Sequence, residues 1–348
     1  MRRREPRLEI GWSPDDTPAR RAMVLLLAVL IDRIVGEPSA ALHPVVWIGR
    51  LVSSLRDRAP RDHGAVQLAY GALVVGCAVG TAVVVAGIVD RMIGRLPLFA
   101  SLVVGAVALK PTFAVRALDE AGEKVERALA RGDKAEAREA LRSLVSRDTT
   151  DLETPLLAAA AIESLAENSS DSAVAPWLFF LIAGLPGAYA YRAANTVDAM
   201  IGYRGAFEYL GKVGARLDDL LNIVPSRFTA LLLVIGAAFN RADALQAVRV
   251  ARRDARLTSS PNAGWPMSAM AGALGIRLEK VGHYVLDPTG SLPTAESVGR
   301  ARGIVAAGLN VFLVGCTIAA FAISVVNRAT KVADALIERA GNALMVDR

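Results

Sequence analysis

Three carboxylate side chains follow one another at four-residue intervals in the stretch ESLAENSSDSAVAPWLFF, which begins at Glu163. Glu163, Glu167 and Asp171 drift by only about 40° per step around a helix, so they share one helix face. Like charges repel one another there, and the carboxyl end of the helix dipole adds to the repulsion. A cation is needed to hold them together, either Mg²⁺ bound with substrate phosphates or a nearby arginine. The alternative is a solvated acidic face that binds nothing.

Further polar groups interrupt the apolar sequence downstream. Asn195 and Asp198 are three positions apart and therefore share a helix face. The stretch GARLDDLLNIVPSRF supplies two aspartates, an amide and two arginines, and RRDARLTSSPNAGW adds arginines, hydroxyls and an amide. Loop polarity and helix capping explain most such residues in any chain, so each group alone is weak support for a site.

The N-terminal part contains Asp32, Glu37 and His43 within a short stretch. The other two histidines lie elsewhere, so the spacing assembles no zinc site, and His43 is read first as a structural, hydrogen-bonded residue. The sequence contains no GxxxxGK[ST] phosphate loop, no GxGxxG after a strand, no HExxH and no GxSxG. If the protein uses a nucleotide, a nonstandard site must hold it.

The composition is that of a membrane protein. Of the 348 residues, 53% are hydrophobic, and the mean hydropathy is +0.37. Residues 64–89 and residues 303–326 contain no charged side chain, and each stretch exceeds the roughly 20 residues that cross a bilayer. Both are predicted spans. Partial spans are predicted at residues 22–35, 96–109, 172–191 and 228–239. The third of these contains two prolines and is expected to kink.

The distribution of charge bears on topology and partners. The formal net charge is +6, but the basic residues are dispersed among acidic ones, which excludes the concentrated basic patch of a nucleic-acid-binding protein. The positive-inside rule places the polar segments, and with them the candidate site, at the cytoplasmic face of the cell membrane. We expect a basic, disordered N-terminal extension at residues 1–21 and a single membrane-embedded catalytic domain at residues 22–348. Cys77 and Cys316 lie within the two predicted spans, which argues against a disulfide.

The secondary structure is predicted to be helical, because no segment shows the alternation of a strand over several residues. Asp133 with Glu136 and Thr150 with Glu153 have the spacing of capping boxes, and the helix after the second box should run to about Asn168. The predicted fold class is therefore all-α: a polytopic integral membrane bundle with cytoplasm-facing amphipathic helices.

Five motifs, in order, make the chain similar to a known family. They read GEPSAALHPVVWIGRL, SRDTTDLETPLLAAAAIESLAENSSDSAVAPWLF, AANTVDAMIGYR, GARLDDLLNIVPSR and RDARLTSSPNAGWPMSAMAGALGIRL. With them the chain resembles the adenosylcobinamide-phosphate synthase (CobD/CbiB) family of cobalamin biosynthesis, whose members are multi-pass membrane proteins. The likeness runs from about Asp32 to about Arg277 and is looser beyond. One departure lies at Glu37, where family members commonly have aspartate.

The resemblance implies a reaction. Family members join aminopropanol, usually as its phosphate, to the free propionate of adenosylcobyric acid with ATP. Because a carboxylate is a poor acyl donor, we expect phosphoryl activation to an acyl phosphate, with Mg²⁺ offsetting the charge of the phosphates. The implied partners are this corrinoid, aminopropanol or its phosphate, and the lipid bilayer. ATP is the implied cosubstrate and Mg²⁺ the implied metal.

This chemistry implies roles for residues within the matching motifs. The carboxylates expected to be catalytic are Glu163, Glu167, Asp171, Asp198 and Asp218, with Asp219 as an alternative to the last. The first three are also expected to bind the metal. The residues expected to bind the cosubstrates, as anion-binding arginines or as amides facing the corrin side chains, are Asn168, Arg192, Asn195, Arg216, Arg227, Arg256 and Asn262.

Two other functions remain open. An ion-coupled transporter would also place carboxylates beside a broken helix, although we find no inverted repeat in the sequence. A prenyltransferase-like membrane enzyme using Mg²⁺-diphosphate would need a second Asp-rich helix, for which LDDLLN is a thin candidate. The sequence also leaves open which amine is joined, the number of subunits, a homo-oligomer included, and the roles of Glu37, His43 and residues 278–300.

Overall fold

The chain is built almost entirely from helices. The computed structural model describes residues 17–41, 43–60, 64–145, 147–203, 205 and 207–346. Within them the helices are α1 (Thr17–Val35), α2 (Pro44–Arg56), α3 (Gly64–Ile93), α4 (Leu98–Leu109), α5 (Val115–Ala130), α6 (Lys134–Leu141), α7 (Thr154–Ser169), α8 (Ala175–Ile201), α9 (Lys212–Leu221), α10 (Ile223–Phe239), α11 (Ala244–Asp254), α12 (Gly264–Leu274) and α13 (Ala295–Val346). Two strands, β1 (Leu278–Lys280) and β2 (Tyr284–Leu286), pair as an antiparallel hairpin before the last helix.

Several of these helices are long and apolar enough to cross a membrane. In the described part of the chain they are α3, the joined helices Thr154–Ile201 and the first part of α13, Ala295–Asn327. Two bent pairs, Leu98–Thr112 with Val115–Ala130 and Lys212–Leu221 with Ile223–Phe239, raise the number to five if each pair is one span. The predicted spans at 64–89 and 303–326 are thus confirmed as long apolar helices. The partial spans at 172–191 and 228–239 fall within these stretches, and 96–109 overlaps the one that begins at Leu98. The partial span at 22–35 falls in α1, which does not qualify.

Helix α8 is broken at Gly184, where the backbone adopts φ 67° and ψ −157°. Glycine tolerates this conformation because it has no Cβ. The predicted kink is therefore confirmed, two residues before Pro186. The guanidinium of Arg21 donates hydrogen bonds to the carbonyl oxygens of Leu181 (2.9 Å) and Ile182 (2.7 Å), which directly precede the break. Helix α1 thereby stabilises the break.

Helices α7 and α8 are joined without a loop by a π-helical turn, Ser170–Val174. Such a turn adds one residue to the helix, shifts the phase of the side chains beyond it and often marks a functional site. The carbonyl oxygen of Ser172 accepts a hydrogen bond of 2.9 Å from the N–H of Ala114. The chain before α5 therefore holds the π turn in place.

Helix α7 is enclosed by its neighbours. Every residue from Leu157 to Ala166 is buried, and the helix contacts α5, α6, α12, α13 and β1. A helix that is apolar on nearly every face belongs in the interior of a protein. The charged side chain of Glu163 lies within this buried run and therefore needs a partner.

Glycines allow α10 and α13 to touch backbone to backbone. A Cβ added to Gly236 would lie 2.4 Å from the carbonyl oxygen of Ile304, and one added to Gly308 would lie 2.8 Å from that of Leu232. Small residues at a crossing permit such close approach in membrane helix bundles. These two helices, both of which contain predicted spans, are thus packed tightly together.

The structure confirms one of the two predicted capping boxes in part. Oδ1 of Asp133 accepts the N–H of Glu136 at 2.9 Å at the start of α6. The second box is wrong, because α7 begins at Thr154 and no side chain caps it. Thr150 instead donates its hydroxyl to Asp148 at 2.6 Å, and this local bond competes with the cap.

Two further expectations from the sequence also need correction. Helix α1 begins at Thr17, so Arg20 and Arg21 belong to a helix and not to the N-terminal extension. The expected disorder of residues 1–16 lies outside the described residues. The hairpin departs from the all-helical prediction, because strands of three residues are too short to show a period of two.

The hairpin is tied to the end of α11 by charged groups. The Asp254 carboxylate accepts hydrogen bonds from the guanidinium of Arg253 at 2.7 and 2.8 Å and from the N–H of Asp287 at 2.8 Å. Burial alone would raise the pKa of Asp254, but these hydrogen bonds lower it below its ordinary value. The ionised carboxylate therefore fastens the chain after β2 to the helical body.

Candidate active site

A polar cavity of about 170 Å³ lies where the π turn, α8, α9, α10 and the start of α12 meet. Five of its lining side chains are carboxylates: Glu167, Asp171, Asp198, Asp218 and Asp219. Its other polar lining residues are Ser170, Asn222, Ser226, Ser260 and Asn262. We call it the acidic cavity. It gathers residues from four motifs that are far apart in the sequence.

Asp218 is held in a fixed orientation by two amides. Nδ2 of Asn195 donates to its Oδ1 at 3.2 Å, and Nδ2 of Asn222 donates to its Oδ2 at 3.0 Å. The amides are themselves oriented, because the hydroxyl of Tyr191 donates to Asn222 at 3.0 Å and the guanidinium of Arg192 donates to Asn195 at 3.3 Å. Both amides present N–H groups to Asp218, and hydrogen bonds to an ionised acceptor are the stronger kind. The network therefore fixes the orientation of the Asp218 carboxyl group.

Arg227 and Asn262 join α10 to the loop before α12. The guanidinium of Arg227 donates to Oδ1 of Asn262 and to the carbonyl oxygen of Pro261 (3.1 Å), and it lies 5.1 Å from the ring centroid of Trp265. Nδ2 of Asn262 donates to the backbone oxygen of Asp219 at 2.7 Å. These polar groups are used within the protein, so both residues shape the wall of the acidic cavity.

The described lining of the acidic cavity is rich in acidic side chains. No lysine or arginine is among its described lining residues. Among the described residues, moreover, no three His, Cys, Asp or Glu side chains form a group that could hold a metal ion by themselves. These donors fit Mg²⁺, a hard cation that keeps several waters and is bound by one or two carboxylates together with phosphates.

Glu163 does not line the acidic cavity. Its Oε2 accepts a hydrogen bond of 2.9 Å from Arg147, and its side chain is only 6% exposed. Burial, together with the charge of Glu163, raises the pKa of the neighbouring Tyr284 and keeps that hydroxyl protonated. Of the three carboxylates predicted to share a face, the structure brings Glu167 and Asp171 into the cavity and pairs Glu163 with an arginine.

The remaining predicted cosubstrate residues are placed differently. Nδ2 of Asn168 bonds the backbone oxygen and the hydroxyl of Ser164, one turn earlier in α7, at 3.0 and 2.9 Å. Arg216 is 77% exposed and only 3.8 Å from Asp219, and Arg256 is exposed. Arg192 is the cation next to the network around Asp218, and its Nε is buried without a hydrogen-bond partner among the described residues.

The N-terminal polar residues form a second cluster around Lys110. Its Nζ lies 2.9 Å from the buried Asp32 and 2.5 Å from Glu37, which also contacts His43 at 3.1 Å. Burial raises the pKa of Glu37, but the hydrogen bonds from His43 and Lys110 outweigh it and leave the pKa lowered. An apolar cavity of about 820 Å³ between α1, α2, α3, α4 and α8 adjoins this cluster.

Sequence reasoning missed several residues that build these sites. Tyr191 directly precedes Arg192, and Arg147 is the second residue of the motif SRDTTDLETPLL, so the sequence indicated each of these residues only weakly. Lys110 lies 73 residues from its partner Glu37, and no local pattern links the two.

Residues 25–307 match the family model described as CobD/Cbib protein, and the match includes the hairpin. One relative is the cobalamin biosynthesis protein CobD of Dehalococcoides mccartyi (strain CBDB1), 43% identical over 264 residues, which cover 76% of this chain and 86% of the relative. A probable cobalamin biosynthesis protein CobD of Methanocaldococcus jannaschii is 36% identical over 293 residues, 81% of this chain and 93% of the relative. The cobalamin biosynthesis protein CobD of Rhodobacter capsulatus is 40% identical over 295 residues, 81% of this chain and 91% of the relative. No solved structure matches the chain. By the extent of the family match and these identities, the chain belongs to the CobD/CbiB family.

Proposed function

We propose that this protein is a membrane enzyme of cobalamin biosynthesis that joins aminopropanol, or its phosphate, to the free propionate of adenosylcobyric acid with ATP. Family membership and the names of the relatives support the pathway and hence a corrinoid substrate. The observation that carries the reaction is the acidic cavity, in which five carboxylates face one small space without a basic lining residue in the described part of the chain. Such a space suits a cation-bound phosphate.

The reaction balances in two steps. The propionate carboxylate attacks the terminal phosphorus of ATP and releases ADP, so that an acyl phosphate forms. The amine nitrogen then attacks the acyl carbon, phosphate leaves with the carbon–oxygen bond electrons, and the amine gives up a proton. The activation step is needed because a free carboxylate does not expel an oxide leaving group.

The carboxylates of the acidic cavity have separable tasks. Glu167 and Asp171 would hold Mg²⁺ beside the phosphates, where the metal offsets the charge that develops during phosphoryl transfer. Asp218, held by its two amides, would present its oxygens to the same cation in a fixed orientation. Asp198 makes no hydrogen bond through its carboxylate within the described residues, and it would accept the proton of the attacking amine.

The proposed location of the enzyme is the cell membrane. The helices long and apolar enough to cross a membrane would hold the enzyme in the cell membrane as a multi-pass protein. The acidic cavity would open to the cytoplasm, where ATP is available and where the positive-inside rule places the basic polar segments.

The test is product formation by the full chain purified in detergent. We expect a corrinoid whose mass has increased by one amide-linked aminopropanol, or its phosphate, when adenosylcobyric acid and Mg-ATP are incubated with each amine separately. Mass spectrometry identifies the accepted amine. Chelation of Mg²⁺ should stop the reaction.

Glu167→Gln should abolish the product and leave thermal unfolding unchanged. Glu139→Gln is the matched control, because Glu139 is 72% exposed and, within the described residues, forms an ion pair only with its helix neighbour Arg142. Absence of product with both amines in the wild type, or full activity of Glu167→Gln, would contradict the proposal.

A further inference from the structure

The break in α8 brings Tyr191 against the first half of the same helix. The rings of Phe179 and Tyr191 stack, with centroids 5.3 Å apart and an angle of 14° between their planes. An unbroken helix would separate residues 179 and 191 by about 18 Å along its axis, too far for the two rings to stack. A Cβ on Gly187 would also collide with the carbonyl oxygen of Phe179. The chain after Gly184 therefore packs against the residues before it, and Phe179 fixes the plane of the Tyr191 ring.

The hydroxyl on this ring decides which way one amide of the acidic cavity points. Tyr191 is fully buried, and its hydroxyl donates to Oδ1 of Asn222 at 3.0 Å. Because that bond takes the oxygen end of the amide, Nδ2 is left to donate to Oδ2 of Asp218, at 3.0 Å. Asn222 lines the cavity, whereas Tyr191 is not among its described lining residues. Tyr191 thus reaches the cavity through Asn222.

Loss of the hydroxyl would remove the bond that distinguishes the two ends of the Asn222 amide. Asn222 is only 2% exposed, so little water can take the place of the missing donor. A reversed amide would turn its oxygen towards an oxygen of Asp218, and an amide oxygen accepts hydrogen bonds but donates none. Only the bond from Nδ2 of Asn195, at 3.2 Å, would then orient Asp218. The Asp218 carboxyl group would stay in the cavity wall but lose its fixed orientation.

We propose that Tyr191 is a positioning residue for cation binding in the acidic cavity, and that it acts through Asn222 on Asp218. The inference rests on the proposed function and extends it, because it makes the affinity for the cation depend on the break in α8. Groups that orient a metal-binding side chain commonly change metal affinity by about 10- to 100-fold. Tyr191 needs to touch neither the cation nor the substrate for this effect.

The experiment measures the binding of Mn-ATP, with Mn²⁺ as the probe for Mg²⁺, by the full chain in detergent. Equilibrium dialysis without the corrinoid gives the Kd for the wild type, Tyr191→Phe, Asn222→Ala and the double variant. Tyr191→Phe keeps the ring that stacks on Phe179 and removes only the hydroxyl. We expect its Kd to rise about tenfold. Since Tyr191 acts through Asn222, the double variant should bind as Asn222→Ala does, within about twofold.

Tyr189→Phe is the matched control. Its hydroxyl donates to the carbonyl oxygen of Ala108 at 2.8 Å, and Tyr189 lines the apolar cavity instead of the acidic one. Its Kd should equal that of the wild type. Turnover gives a second measurement: in Tyr191→Phe the Mg²⁺ concentration at half-maximal rate should rise, with kcat at saturating Mg²⁺ changed less. A residue that only stabilised the fold would lower the unfolding temperature and leave this Mg²⁺ concentration unchanged.

The possible failures of this inference and of the proposed function are distinguishable. A Kd of Tyr191→Phe within about twofold of the wild type, additive losses in the double variant, or an equal loss in Tyr189→Phe would overturn the role of Tyr191. If the wild type binds Mn-ATP but forms no amide, the proposed function fails alone and the Kd values still decide on Tyr191. If the wild type binds no Mn-ATP, both are rejected.

Discussion

The pairing of Arg147 with Glu163 distinguishes a structural carboxylate from a metal ligand. Arg147→Met removes the partner of a carboxylate whose side chain is 6% exposed, whereas Glu163→Gln leaves an arginine that is 20% exposed and can reach water. Removing one partner of a buried ion pair costs about 3–5 kcal/mol. The partial exposure of Arg147 places this pair near the lower limit, at about 3 kcal/mol.

Thermal unfolding in detergent provides the measurement. At about 2 °C per kcal/mol, the lower limit for large domains, Arg147→Met should lower the unfolding temperature by about 6 °C. Glu163→Gln should destabilise the protein by about half as much, since the charge that remains, that of Arg147, is partly exposed to solvent. The double variant should be more stable than Arg147→Met alone, because it leaves no unpaired buried carboxylate.

Turnover then decides the role of Glu163. If it serves only to pair Arg147, the folded double variant should form product at a rate within a few-fold of the wild type. If Glu163 binds the metal, every variant that lacks it should lose roughly 10- to 100-fold or more in activity, whatever its stability. That second result, or additive destabilisation by the two substitutions, would refute the assignment of Glu163 to the ion pair.

Three further substitutions test the fold. Arg21→Ala should destabilise the protein by about 1.5–3 kcal/mol, since it removes charged hydrogen bonds at the break in α8, while Arg20→Ala should have little effect on the unfolding temperature. Gly236→Ala should cost about 1–3 kcal/mol because its Cβ meets backbone of the facing helix, whereas Gly315→Ala, with open space around it, should be neutral by the same assay. Asp254 has a lowered pKa, so its ionised form contributes stability above the ordinary carboxyl value of 3.8, and this contribution is lost as the pH falls through the lower folded value. The stability difference between wild type and Asp254→Asn, measured from pH 7 to pH 3, should therefore shrink on acidification; a constant difference would contradict the lowered pKa.

The long apolar helices and the gathering of distant motifs could be predicted from the sequence. Long uncharged stretches directly indicate burial or membrane insertion. Carboxylates spaced four residues apart indicate a shared helix face. Glu167, Asp171, Asp198 and Asp218 do converge, as their positions in the motifs suggested.

The partners of these residues could not be predicted, because they depend on tertiary contacts. Nothing local to Glu163 shows that Arg147 will pair with it, although the two lie only 16 residues apart. The amide orientations around Asp218 depend on Tyr191, which is 31 residues from the amide it contacts. The β1–β2 hairpin could not be predicted from the sequence, because its strands are too short to show a periodic pattern.

The number of residues in the π turn Ser170–Val174, between α7 and α8, determines how the side chains of these two helices face each other. Each residue of an ordinary helix advances the chain by about 100°. Deleting one residue from the π turn would therefore rotate α7 relative to α8 by about that angle. The rotation would move Glu167, on α7, away from Asp198, on α8. An insertion in a surface connection leaves the acidic cavity unchanged, but a change of one residue here separates its two halves with every side chain still present.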